Sequence, residues 1–120
     1  MIMAEIPEIT PSEVHKKLGN DDFILLDVRE NNERVVAKVE GSIHIPVIEV
    51  PARLNELDKN KEIAVTCLGG GRSSKITKYL LSQGFTNVKN MVGGIRRWSE
   101  QIDQSIPKYR LQNGQIIQED

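Results

Sequence analysis

The feature that most restricts this chain is a junction. Lys61 to Cys67 reads as a buried-type run of strand length and ends directly on Leu68-Gly69-Gly70-Gly71-Arg72-Ser73-Ser74. Beyond it, Ile76, Tyr79 and Leu80 recur at helical spacing as far as Gly84. A strand that turns through glycines straight into a helix belongs to a βαβ unit, which calls for a parallel sheet. A second nearly continuous apolar run, Phe23-Ile24-Leu25-Leu26-Asp27-Val28, has the pattern of a strand covered on both faces. Shorter strand candidates are Ser42 to Ile45 and Asn87 to Met91; helical candidates lie near Asn32 to Lys38, Ile48 to Leu57 and Gly94 to Ile102. Thr10-Pro11-Ser12-Glu13 has a capping residue, a proline for the first helical position and a glutamate that completes a capping box, so a helix carrying Val14 and Leu18 opens there. The expected class is therefore α/β, with about five strands in a mainly parallel sheet and helices on both faces.

The chain has 120 residues, 38% of them hydrophobic, no internal repeat and no proline-rich linker, which suits one domain. The expected division is a domain over 1–109 and a tail over 110–120. In the tail Asn113-Gly114 signals a short hairpin, with disorder as the alternative reading. Sixteen Lys and Arg against seventeen Asp and Glu leave no basic excess for a phosphate backbone, so no nucleic-acid partner is expected. Apolar runs far below the roughly 20 residues that cross a bilayer give the expectation of no membrane partner. Met1 to Ile9 lacks Lys and Arg and is broken by Glu5, Pro7 and Glu8, so it lacks the parts of a secretory leader and a cytoplasmic location is the default. With one cysteine no internal disulfide can form, and His15 and His44 have no ligand spacing, so no metal is expected.

Chemistry points to Cys67. In open α/β sheets the functional crevice lies at the carboxyl ends of the strands, where this residue falls. Gly69, Gly70 and Gly71 let successive amide N–H groups turn into one concavity, and the following helix adds the positive end of its dipole. Such a bowl favours an anion, and a thiolate is one. The plainer reading is an ordinary strand-to-helix turn with Cys67 as core filler and Arg72 on a solvated face. A nucleotide loop is not indicated, because both the Gly-x-x-x-x-Gly-Lys-[Ser/Thr] and dinucleotide patterns are missing.

Cys67-Leu68-Gly69-Gly70-Gly71-Arg72-Ser73 resembles the active-site loop of single-domain rhodaneses, sulfurtransferases that carry sulfane sulfur as a cysteine persulfide. Three further segments resemble family motifs in the same order: Asp27-Val28-Arg29-Glu30, Gly41-Ser42-Ile43-His44-Ile45-Pro46, and Gly93-Gly94-Ile95-Arg96-Arg97-Trp98. The similarity covers about residues 5 to 107. Lys38 and Glu40 depart from the family's usual His and Pro, which bears on a local turn rather than on the chemistry. The end of the match, Trp98 to Tyr109, is similar to the rhodanese segment fused to enzymes that adenylate ubiquitin-like sulfur carriers.

The resemblance implies a rhodanese-like fold and a sulfurtransferase that works without a cofactor. Cys67 would be nucleophile and sulfur carrier, and Arg72 would attract an anionic donor such as thiosulfate. Leu68, Gly69, Gly70, Gly71 and Ser73 would hold the charge through their amides, with Asp27 and Arg29 as structural support through a loop-amide bond and an ion pair. The partners implied are a small-molecule or protein sulfur donor and a thiol, cyanide or sulfur-carrier acceptor. A mercaptopyruvate donor is less favoured, because its loop type is missing. Two other readings stand beside this one: a non-catalytic rhodanese-like interaction module, and a cysteine phosphatase, whose loop is one residue longer between Cys and Arg. Trp98 shares helical spacing with Ile95 and Ile102 and reads as core. Arg96, Arg97 and Lys108 read either as a basic rim or as a solvated helix face.

Overall fold

The computed structural model describes residues 5–119. Met1 to Ala4, the first part of the Met1 to Ile9 stretch read against a leader, and Asp120 at the end of the tail lie outside the described residues. In chain order the elements are β1 (Glu8–Ile9), α1 (Pro11–Lys17), β2 (Phe23–Asp27), α2 (Asn31–Val36), β3 (Ile43–His44), a 3-10 segment (Val47–Glu56), β4 (Glu62–Thr66), α3 (Gly71–Ser82), β5 (Val88–Met91), α4 (Gly94–Gln101), β6 (Lys108–Gln112) and β7 (Gln115–Glu119). The first five strands form one sheet in the order β1-β5-β4-β2-β3, and every pair is parallel. This is the α/β architecture that the strand–loop–helix pattern called for.

Alternation along the central strands builds two cores. Ile24 and Leu26 of β2, with Ile63 and Val65 of β4, pack against Ile76 and Leu80 of α3 and against Val50 and Leu57. Phe23 and Leu25 of β2, with Ala64 of β4, pack on the other face with Val14 of α1 and Ile95 and Trp98 of α4. Both faces are covered, so the strands read as unbroken apolar runs. Cys67 belongs to the α3 side of the sheet. At the start of α1 the Thr10 hydroxyl accepts from the Glu13 amide at 3.1 Å, and the Glu13 carboxylate accepts in return from the Thr10 amide at 3.1 Å.

Two segments take a form that the sequence reading does not specify. Ile48 to Leu57 reads as helical, and Val47–Glu56 is a helix of the 3-10 type that breaks at Arg53 (φ −121°). Pro51 inside it removes an amide donor and cannot follow an α-helical turn. The strand expected over Ser42 to Ile45 contracts to Ile43–His44, because only Leu26 and Asp27 of β2 remain to pair with it. The C-terminal segment folds as an antiparallel hairpin whose turn, Asn113 (φ 53°) and Gly114 (φ 79°), has positive φ at both central residues, as a two-residue hairpin requires. Strand β6 runs across the 109/110 division, and Tyr109 is fully buried in the α1/α4 core.

Leu26 has no exposed surface and sits at the centre of the α3-side core. Leu26→Ala is expected to cost about 2–5 kcal/mol in unfolding free energy, measured by urea denaturation with an unchanged m-value.

A cysteine cradle at the end of the central strand

Strand β4 delivers Cys67 to the carboxyl edge of the sheet, and α3 starts at Gly71. The thiol is held inside the loop and is 1% exposed. Gly70 N–H donates to Sγ at 3.1 Å, and the Ser73 hydroxyl lies 3.3 Å from it. Gly70 takes φ +113°, a left-handed conformation that only glycine adopts without strain, and this turns the chain from the loop into α3. Gly69 and Gly71 need no such freedom: a methyl group on either would meet nothing within 4 Å. Of the amides from Leu68 to Ser73, that of Gly70 is the one placed on the sulfur in this state.

The direction of the Ser73 contact follows from its neighbours. The Asn90 side-chain amide donates to Gly70 O at 3.3 Å, which turns its oxygen toward Ser73, and the Ser73 hydroxyl donates to that oxygen at 2.6 Å. One hydroxyl has one hydrogen, so a neutral Cys67 thiol donates to Ser73. A thiolate would instead draw the Ser73 hydrogen away from Asn90. Asn90, on β5, was not singled out in the sequence; it lies far along the chain from Cys67, and no local pattern marks it.

The loop is also locked from below. Ile95 N–H at the start of α4 donates to Cys67 O at 2.8 Å, and Arg96 N–H donates to Leu68 O at 3.1 Å. That approach explains Gly94, which has φ +59° and where a Cβ would come within 2.4 Å of Leu68 O and 2.5 Å of Cys67 O.

Arg72 does not point at the sulfur with free donors. Its two terminal nitrogens donate to the Glu33 carboxylate at 2.7 and 2.9 Å, a bidentate pair in which Glu33 is 1% exposed. Glu33 is chiefly responsible for raising the Arg72 guanidinium above its ordinary range. Burial pushes the Glu33 carboxyl up, but Arg72, the Glu30 amide and the Tyr109 hydroxyl outweigh it and hold the group below its ordinary 4.5. Asp27 accepts from Arg29 Nε at 2.9 Å and Nη2 at 2.7 Å, and from Arg34 at 3.2 Å. The loop amide that Asp27 takes is that of Arg29, at 3.0 Å, not one from the cysteine loop. His44 Nε2 donates to Arg29 O at 2.6 Å, His15 stacks edge-on against Trp98, and Trp98 is buried. Arg96 is tied to the hairpin through Glu119 at 2.6 Å rather than standing free on a basic rim. Glu33 was also missed, although a charged residue four positions after Arg29, beside a buried strand end, was a signal that a partner had to be found.

Comparison with known proteins gives this geometry a family context. The family profile described as Rhodanese-like domain matches residues 10–101. A Bacillus subtilis (strain 168) protein, provisionally named sulfur carrier protein YrkF, is 40% identical over 97 residues, which cover 80% of this chain and 52% of that protein. A protein of Allochromatium vinosum named Sulfurtransferase is 28% identical over 95 residues, 78% of this chain and 89% of that one. The crystal structure of a rhodanese-related protein from Thermoplasma volcanium superposes with a TM-score of 0.73 at 29% identity, covering 80% of this chain and 93% of that chain. The chain thus spans about half of the first of these relatives and most of the other two. Among the described residues no helix is long and apolar enough to cross a membrane.

Two measurements check the cradle. Gly94→Ala is expected to cost about 2–4 kcal/mol in unfolding free energy, because both the positive φ and the backbone contact oppose a methyl group. Glu33 titrates lower in the folded than in the unfolded protein, so its contribution is fully present above the ordinary value of 4.5 and fades as pH falls through the native value. Urea unfolding between about pH 6 and about pH 3 should therefore show a smaller acid loss of stability in Glu33→Gln than in the wild type.

Proposed function

We propose, from the premise that the chain belongs to the rhodanese-like domain family, that it is a sulfurtransferase carrying sulfane sulfur as a persulfide on Cys67. The observation that carries the reading is the placement of Cys67 Sγ at a strand end, on the Gly70 amide and beside the Ser73 hydroxyl. A negatively charged sulfur in that position gains two donors and the positive end of α3. The names of relatives as sulfurtransferase and sulfur carrier support the same chemistry.

In the first half-reaction the Cys67 thiolate attacks the outer sulfur of a donor. A new S–S bond forms, the donor's S–S bond breaks, and its electron pair leaves with sulfite from thiosulfate or with a thiolate from a persulfide. In the second, a thiol, cyanide or a sulfur-carrier protein attacks the outer sulfur, and the Cys67 thiolate departs. Electrons balance over the two steps with donor and acceptor alone. Because the thiol is 1% exposed, the donor has to bring a slim atom through the loop. Gly69 and Gly71, both exposed and lacking side chains, leave room for that approach. A terminal sulfur meets the requirement better than the four-coordinate phosphorus of a phosphoryl group, and Arg72, already clamped on Glu33, is not disposed to surround one. Thiosulfate and protein persulfides are both donors of the required class, and a cytoplasmic thiol pool suits the second step.

Purified protein mixed with thiosulfate or, separately, with glutathione persulfide is expected to gain one sulfur atom in intact mass, and cyanide is expected to remove it. Cys67→Ser should gain none. Absence of the adduct with both donors, or an equal gain in Cys67→Ser, would refute persulfide transfer and leave the interaction-module reading.

A further inference from the structure

We propose that Tyr109, on the C-terminal hairpin, is a positioning residue for Arg72 at the rim of the cysteine loop, an inference that rests on the sulfur-transfer reading above. Tyr109 has no exposed surface, and its hydroxyl lies between two charged groups. Arg29 Nη1 donates to it at 2.8 Å, and it donates to Glu33 Oε1 at 2.9 Å. A guanidinium has no acceptor, so the hydroxyl must accept from Arg29 and has its single hydrogen left for the carboxylate. The same Glu33 Oε1 accepts from Arg72 Nη2 at 2.9 Å, while Oε2 takes Arg72 Nη1 at 2.7 Å and the Glu30 amide at 3.0 Å.

These contacts leave Glu33 little freedom of rotation. Tyr109 holds one carboxylate oxygen and Glu30 the other, so the plane of the carboxylate is fixed from two sides. The bidentate arginine fork must lie in that plane. Arg72 follows Gly71 in α3, and its side chain is 31% exposed, so the direction of its fork sets where the positive charge stands at the loop mouth. Burial raises the Tyr109 phenol above its ordinary range, with Arg29 opposing, in keeping with a hydroxyl that donates to Glu33. The hairpin is itself fastened beside this relay, because Arg96 donates to Tyr109 O at 3.2 Å and pairs with Glu119 at 2.6 Å. A segment separated by 37 residues in sequence from Arg72 thereby governs the loop through one hydroxyl.

The test is a double-mutant cycle on sulfur uptake, using whichever of thiosulfate and glutathione persulfide loads the wild type. Tyr109→Phe keeps the ring and removes the hydroxyl. It is expected to raise KM for the donor about three- to tenfold, less than the full loss of a hydrogen bond to a charged group because the effect reaches the donor only through Arg72, with kcat within about twofold. In an Arg72→Met background the same change should have no further effect, because the group it positions is gone. If Tyr109→Phe leaves KM unchanged, or if its effect is undiminished when Arg72 is absent, the residue only supports the fold and the proposal is overturned. Thermal melting of each variant sets the assay temperature below unfolding. Should Tyr109→Phe fail to fold, Glu33→Gln interrupts the same relay and must give the same KM-selective loss and the same disappearance in Arg72→Met. A wild type that takes up no sulfur from either donor refutes the transfer reading itself, an outcome distinct from a loaded wild type whose cycle is additive.

Discussion

A guanidinium shut away from water needs a partner for each of its five N–H groups, and Arg29, with no exposed surface, finds all of them inside the protein. Nε and one hydrogen of Nη2 go to Asp27, the other Nη2 hydrogen to Ala37 O, and the Nη1 pair to Glu33 O and the Tyr109 hydroxyl. Those acceptors come from the end of β2, both ends of α2 and the hairpin. Burial works against the charged form, but Asp27 and Tyr109 more than compensate, and Arg29 ends above its ordinary range. Because a buried charge with a partner removed is far more costly than a buried pair is favourable, these segments are obliged to stay together. The cysteine loop is then placed against a surface whose positions are already determined.

Two kinds of constraint meet at the loop. From the sheet side, α4 approaches so closely that the Ile95 and Arg96 amides of its first turn bond the carbonyls of Cys67 and Leu68, and a glycine at 94 is the condition for that approach. From the rim side, Glu33 takes hold of Arg72. Neither constraint touches the sulfur, which takes the Gly70 amide and shares the Ser73 hydroxyl with Asn90. Charge balance at the rim is thus set by residues outside the loop, and the loop backbone deals with the sulfur.

Much of the fold was legible because buried parallel strands leave unbroken apolar runs: Phe23 to Asp27 and Glu62 to Thr66 lie within the stretches read as strands. The segment near Ile48 to Leu57 was legible as helical because Val50, Leu54 and Leu57 suit a helical period, whereas its 3-10 form, with Pro51 inside it, was not. The two-residue strand β1 was not marked, since two residues carry no period. At the site, Cys67 and its glycines stood out because the chemistry is contiguous in sequence. Asn90, Glu33 and Tyr109 did not, because each gains its meaning from a partner brought in by folding. Gly94 could be noticed as part of a motif, but its reason is visible only where α4 meets the loop.

The parallel sheet tapers from five-residue central strands to two-residue strands at both margins, β1 and β3. An edge so brief exposes few unpaired backbone donors and acceptors, and a strand from a second molecule would find little to hydrogen-bond there. Such a sheet resists stacking end to end into fibrils, and the same shortness allows the domain to be crowded among other folded units without merging with them.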